Sequence, residues 1–276
     1  MLRYILTGLI CLLFFCPTVL LAAEPDQHSF TTAEKRLVAR DTLLSAAAIT
    51  AWGVTNWDWF TRSFHRGDEG WFTDASKTGG SDKTGHMFST YALADLMFWD
   101  FYHRNGMARQ RAAQSAAWSA LGVMTFLEVG DATSDYGFSY EDLIMDALGA
   151  GTSYLLNRHP GLDEKIDFRL EYWPSKGLSG RDDYAADYSG MRHLFALKAA
   201  GFTSLKKTPL RFLEVHLGYY SRGFRTYDVG HYDEERHLYA GVGLSLPEVF
   251  SGVPILPSIF KYYQPPKTYL ATDITD

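Results

Sequence analysis

Apolar side chains recur at helical spacing through the first half of the chain and alternate through part of the second. Leu37, Leu43, Leu44, Ala47, Ala48 and Trp52 fall at helical spacing. Preceded by the capping-box pair Thr31 and Glu34, they predict a first long helix from Lys35 to about Phe60. A loop with Gly67, Gly70, Gly79 and Gly80 carries Trp71 and Phe72, and a second helix is expected from Asp82 to His103, closed by Gly106. A third runs from about Met107 through the alanine-rich 112–120 to Glu128, and a fourth from the cap Ser139 to about Asn157, where Pro160 and Gly161 stop it. Beyond residue 165 the period shortens to two. In Arg236–Leu246, Leu238, Ala240, Val242, Leu244 and Leu246 point one way and His237, Tyr239, Gly241, Gly243 and Ser245 the other. Leu210–Tyr220 reads as its antiparallel partner; Ile166–Trp173 is a weaker strand candidate, and Met191–Ala199 fits a strand or a helix.

The expected fold class is therefore α+β, an N-terminal four-helix bundle (24–160) followed by a small antiparallel β portion (161–264), with an irregular tail from 265 to 276. Asp58 in the first helix, Asp95 and Asp100 in the second and Gln114 in the third interrupt the apolar runs, which argues against membrane spans. The C-terminal strands resemble outer-membrane strands in length and composition. At most four are visible, however, and a single-chain barrel needs about eight.

The first residues read as an export signal: Arg3, the apolar run Tyr4–Phe15, Pro17, and the small pair Ala22-Ala23 before Glu24. Residues 1–23 are expected to be removed. Both cysteines, Cys11 and Cys16, lie in this segment without the small residues that precede a lipidation cysteine, so the mature chain has no thiol and no Cys ligand for a metal. Loss of Arg3 turns the formal charge of −6 into −7, and with no basic run nucleic acid is not an expected partner.

The informative chemistry is a set of acidic and imidazole side chains on otherwise apolar helix faces. Asp82 and His86 are four apart with Lys83 beside them, Glu128 and Asp131 close the third helix, and Asp142 and Asp146 are again four apart on the fourth. Buried singly, each such group costs several kcal/mol, so inward faces would require them to pair with one another, with Lys83, or with an ion or ligand. Bland readings stay open: Asp82 as a helix cap, Asp142 as a capping partner of Ser139, His86 as an ordinary core histidine. Glu128 resists dismissal, because the helix dipole disfavours an anion at a C-terminus.

The run 82–91 (Asp-Lys-Thr-Gly-His-Met-Phe-Ser-Thr-Tyr), then Glu128, then Ser139-x-x-Asp142-Leu143 with Asp146, Gly149 and Ala150, resembles the YfiM-like family of predicted periplasmic lipoproteins, a domain of unknown function. The likeness covers roughly 35–160 and implies an envelope location. It brings no established chemistry. Asp82-Lys83-x-x-His86 with a later Glu is similar, more faintly, to VanZ-like membrane proteins, and Thr84-Gly85-His86 with 137–142 to lipid-phosphate phosphatases. In the second comparison Phe138 or Ser139 stands where the nucleophilic histidine belongs.

No Gly-x-Ser-x-Gly, Walker loop or His-Glu-x-x-His is present. His231 and His237, with Asp233, Glu234 and Glu235 between them, read as a solvated turn with a site as the alternative. Five of the seven tryptophans fall between Trp52 and Trp99, for which core packing is expected ahead of a lipid interface. The expectation is an exported protein of the periplasm or outer membrane, with a membrane surface or lipid-like ligand as its partner. The alternatives are a hydrolase or transferase of lipid head groups using Asp82, His86, Glu128 and Asp142, and a structural member of an envelope complex. No cofactor and no metal is assigned by the sequence.

Overall fold

In the computed structural model, residues 29–178 and 184–275 are described; the expected export signal lies outside them. Four long helices come first: α1 (Thr32–Asn56), α2 (Ser81–Phe98), α3 (Arg109–Asp131) and α4 (Tyr140–Arg158). A short α5 (Pro160–Asp163) leads into β1 (Ile166–Tyr172), β2 (Met191–Lys198), β3 (Leu213–Arg222) and β4 (Glu235–Leu244). The chain closes with α6 (Leu246–Val249), α7 (Leu256–Tyr262) and β5 (Tyr269–Asp273).

The caps behave as the sequence indicates at two helices. Thr31 accepts from Glu34 N at 3.1 Å while the Glu34 carboxylate takes Thr31 N at 2.8 Å, and Ser139 Oγ accepts from Asp142 N at 3.2 Å. At α2 the cap is Gly80 in a left-handed conformation, φ 94°, with no side-chain cap, so Asp82 lies inside the first turn and is not the cap. Helix α2 runs on as a π-helical stretch, Trp99–Arg104, to the expected stop at Gly106.

Three expectations are corrected. Helix α1 ends at Asn56, before Asp58, which sits at φ 54° in the turn beyond. Without that charge, α1 is long and apolar enough to cross a membrane. Pro209–Phe212 forms a 3-10 turn, so β3 begins at Leu213 rather than Leu210. The tail is not irregular: Tyr269–Asp273 pairs with Tyr239–Gly243 as a fifth strand, too short and too close to Pro265-Pro266 to announce itself by alternation.

Helices α2, α3 and α4 form the apolar centre, with Ala94, Ala112, Ala116 and Ala120 letting the backbones approach around Met97, Phe98 and Phe101. The tightest crossing is at Gly149 of α4, where a Cβ would stand 2.2 Å from Met87 O of α2. Gly151, expected to help, meets nothing within 4 Å. Of the clustered tryptophans Trp59 is buried and Trp57 and Trp71 are half-buried against the core, as expected, while Trp52 and Trp99 are exposed, so the core reading fails for those two.

The sheet is antiparallel in the order β1-β2-β3-β4-β5. It curls: Tyr269 Oη of β5 donates to Glu171 of β1 at 2.5 Å, and Gln264 N donates to Leu170 O at 2.9 Å along the outer edge of β1. One face packs on α2 through Phe168, His193 and Phe195. Farther along the same face Leu197, Val215, Val242 and Leu270 stand opposite one another in a single register row, all exposed, Leu270 by 84 %. The opposite, concave face is buried and carries a charged network beside the cluster of Leu194, Ala196, Tyr220 and Tyr239. Arg169 binds Glu214 at 2.6 and 3.0 Å, Asp167 at 2.6 Å and Gln264 at 2.8 Å, and His216 meets Glu214 at 2.8 Å. The alternation read from the sequence holds, with its polar and small side facing inward.

Candidate functional site

Helix α2 carries the site between the bundle and the sheet. Its N-terminus is tied to β3 by Ser221, whose N–H donates to Ser81 Oγ at 3.0 Å and whose hydroxyl donates to Thr78 O at 2.6 Å. On the next turn Thr84 Oγ1 meets His193 Nδ1 of β2 at 2.8 Å. These anchors fix which face of α2 looks toward α3 and α4, and that face carries Asp82, Lys83 and His86.

Lys83, fully buried, is the local cation. Its Nζ lies 2.7 Å from Glu69, 3.0 Å from Asp82 and 2.7 Å from Asp142. Burial works against its charge, but the three carboxylates hold its pKa above the ordinary lysine value. Tyr188 Oη donates to Asp82 Oδ1 at 2.6 Å. The Asp82 carboxyl is held below its ordinary value, Lys83 and His86 outweighing burial.

His86 is surrounded by carboxylates. Its Nε2 faces Asp82 Oδ1 at 3.8 Å, and its Nδ1 faces Asp146 Oδ1 at 3.3 Å and Glu128 Oε1 at 3.7 Å. Burial alone would lower its pKa; Asp142 and Asp146 raise it well above the usual imidazole range. Each carboxylate is steadied from behind: Thr90 Oγ1 donates to Asp146 Oδ1 at 2.6 Å, and Ser139 N donates to Glu128 Oε2 at 3.0 Å. Glu128 thus serves the N-terminus of α4 from the end of α3, which explains an anion where its own helix dipole disfavours one. Glu128 Oε1 and Asp146 Oδ2 are buried with no hydrogen-bond partner.

Burial pushes the Glu69 carboxyl up to about 9, with Asp82 adding to it, and the Glu128 carboxyl up to about 8. Asp131 rises to about 6, also from burial, although Trp59 Nε1 donates to it at 2.6 Å. At neutral pH this part of the protein therefore holds carboxylic acids beside carboxylates, the arrangement that permits proton exchange with a bound molecule.

The structure brings together Asp82, Lys83, His86, Glu128, Asp142 and Asp146, all expected as site residues. Asp131 lies in the same cavity, bonded to Trp59 as a structural clamp. Asp142 is capped by Ser139 through its backbone, while its side chain turns to Lys83. His231, Asp233 and Glu234 are exposed and His237 pairs with Glu235 and Asp273, none of them lining the cavity. Sequence reasoning missed Glu69, Tyr188 and Thr90. Thr90 had a signal, one helical turn beyond His86; Glu69 and Tyr188 lie in irregular segments, where no spacing rule operates.

The cluster opens on a cavity of about 1110 Å³. Asp82, His86, Glu128 and Asp142 line it together with the apolar Ile49, Trp52, Trp57, Met124 and Leu127, supplied by α1, the turn after it and α3.

Residues 68–158 match the family model described as Predicted periplasmic lipoprotein (DUF2279). The match contains every charged member of the cluster, Glu69 included, and agrees with the YfiM-like resemblance and with an exported protein of unknown function. Nothing found supports the likeness to VanZ-like proteins or to phosphatases. No curated protein and no solved structure matches the chain.

Proposed function

We propose that the protein binds a lipid-like amphiphile at the periplasmic side of a membrane, with the head group against the His86 carboxylate end and the tail along the apolar wall. The mixed lining of the cavity carries this reading: acids and imidazole together with tryptophan, isoleucine and leucine. Its volume, about 1110 Å³, exceeds that of most pockets for drug-sized molecules, roughly 300–1,000 Å³.

The molecule's outer surface favours a membrane as the source. Exposed Leu43, Leu44, Trp52 and Val54 on α1 and the row Leu197–Val215–Val242–Leu270 on the sheet are apolar where water would favour polar residues. A sheet with buried charge inside and aliphatic side chains outside follows the pattern of strands facing hydrocarbon. Tryptophans such as Trp52 and Trp99 suit the interfacial layer.

Calorimetric titration with amphiphiles of one head group and increasing tail length tests the reading. Each methylene buried contributes about 0.8 kcal/mol, so affinity should rise by up to about fourfold per carbon until the wall is covered. Ala48→Trp, which places a ring at the exposed α1 rim of the cavity, should weaken long tails more than short ones. Affinity independent of tail length would remove the apolar wall from the account.

A second reading, hydrolysis or group transfer at the head group, draws on one observation: Glu128 beside His86 and Glu69 beside Lys83 keep protons near neutral pH. Mass spectrometry of the recovered amphiphile separates the two, since binding returns it intact and turnover returns head and tail apart.

A further inference from the structure

The carboxylates around His86 form two triads, Asp82–His86–Asp142 and His86–Glu128–Asp146, each with one ligand atom per residue within 4.8 Å of the others. They differ in what neutralises them. In the first, Lys83 already sits 3.0 Å from Asp82 and 2.7 Å from Asp142, and Tyr188 takes the remaining reach of Asp82. The second has no such lysine. Among the described residues its positive partner is His86 itself, and it holds two oxygens with no hydrogen-bond partner, Glu128 Oε1 and Asp146 Oδ2, whereas Asp142 Oδ1 of the first triad is ion-paired with Lys83. Native proteins rarely leave buried polar atoms unpaired, and two on carboxylates that converge on one imidazole nitrogen call for a cation between them.

We infer that His86 Nδ1, Glu128 and Asp146 bind one divalent transition cation of the Zn2+ class. The donor chemistry fits: one imidazole nitrogen and two carboxylates are a usual three-ligand set for Zn2+, with a fourth position left open. The spacing fits as well. Nδ1 lies 3.3 Å from Asp146 Oδ1 and 3.7 Å from Glu128 Oε1, near the ~3.4 Å separation of donors around a tetrahedral ion bound at about 2.1 Å. The outer partners are in place: Ser139 N holds the second Glu128 oxygen, Oε2, and Thr90 Oγ1 donates to Asp146 Oδ1, the oxygen that faces Nδ1, leaving Oδ2 free. His86 and Glu128 both line the cavity, so the open position faces the space assigned to the amphiphile head. The cation site does not depend on that assignment and would be present in a protein that binds no lipid.

The test uses the mature chain stripped with EDTA and titrated with ZnCl2, with CoCl2 as a spectroscopic probe. One equivalent of Zn2+ should bind and raise the melting temperature, and Co2+ should show the intense visible bands of a tetrahedral site. Glu128→Gln, which keeps an acceptor for Ser139 N–H, and Asp146→Asn should each weaken binding by at least about 100-fold while circular dichroism stays native. Thr90→Val, which removes only an outer partner, should weaken it by about tenfold. Where Glu128→Gln does not fold, Asp146→Asn and His86→Gln give the same reading. His237→Gln is the control for a surface site with Glu235 and Asp273, and should leave affinity unchanged. No saturable binding of either ion at millimolar concentration overturns the inference. So does binding that survives Glu128→Gln and Asp146→Asn, or that disappears in His237→Gln.

Discussion

The Arg169→Met variant is expected to lose on the order of 4 kcal/mol of stability. Arg169 is fully buried on the concave face of the sheet, where its guanidinium grips both oxygens of Glu214 and also binds Asp167 and Gln264. Methionine fills much of the volume, so the loss comes from charge. Lys198 still reaches Asp167 and His216 still reaches Glu214, but two carboxylates then share weaker partners in a buried, low-dielectric interior. Breaking a buried pair by removing one partner costs about 3–5 kcal/mol, whereas replacing the whole pair by apolar groups is often close to neutral. Arg169→Met combined with Glu214→Leu should therefore recover part of the loss. Urea unfolding at neutral pH measures both, and a single-variant loss below about 0.5 kcal/mol would mean that water reaches the concave face.

Glu128→Ala should cost on the order of 3 kcal/mol in metal-free protein, because it strands Ser139 N–H and removes one of the carboxylates around His86. Removing His86 as well should cost less than the sum of the two single changes, since contacting members of one network do not add. Glu128→Gln separates charge from hydrogen bonding, because the amide oxygen can still accept from Ser139. It also carries a pH signature. The folded pKa of Glu128, about 8, lies above the ordinary 4.5, so between those values the folded state holds a proton the unfolded state has released. Stability from this group is complete below about pH 4.5 and is lost as pH rises through 8. Glu128→Gln should lack that fall and be the more stable protein at pH 9. Thermal melts from pH 5 to 9 in EDTA decide it; parallel curves for wild type and variant would show that Glu128 is solvated.

Much of this was legible in one dimension because two short-range rules hold here. The i, i+4 rule put Asp82 with His86 and Asp142 with Asp146, and caps fixed the starts of α1 and α4. A helix face does not say what it faces, so the convergence of three helices on His86 stood only as one of several readings. The sheet was harder. Alternation gives two faces without saying which is buried, and the usual hydrophobic assignment would bury Val215 and Val242 and expose Arg169. Asp58 continues the helical pattern in sequence, but α1 has already ended at Asn56, and the left-handed Asp58 turns the chain so that Trp59 packs against Gly53 and Gly130. Glu69 and Tyr188 reach Lys83 and Asp82 from loops, where position is set by tertiary packing.

In the proposed binding mode a lipid tail lies against α1 and α3 with its head at His86. This mode is tested most directly by photolabelling the protein on vesicles that contain a lipid with a diazirine at mid-tail, followed by peptide mapping. Label is expected on the cavity lining, in the segments with Ile49–Trp57 and Met124–Leu127, together with label on the outer row Val215, Val242 and Leu270. Ala48→Trp should suppress the first and spare the second. Label confined to the outer row would contradict the account, since the protein would then touch lipid without taking it in.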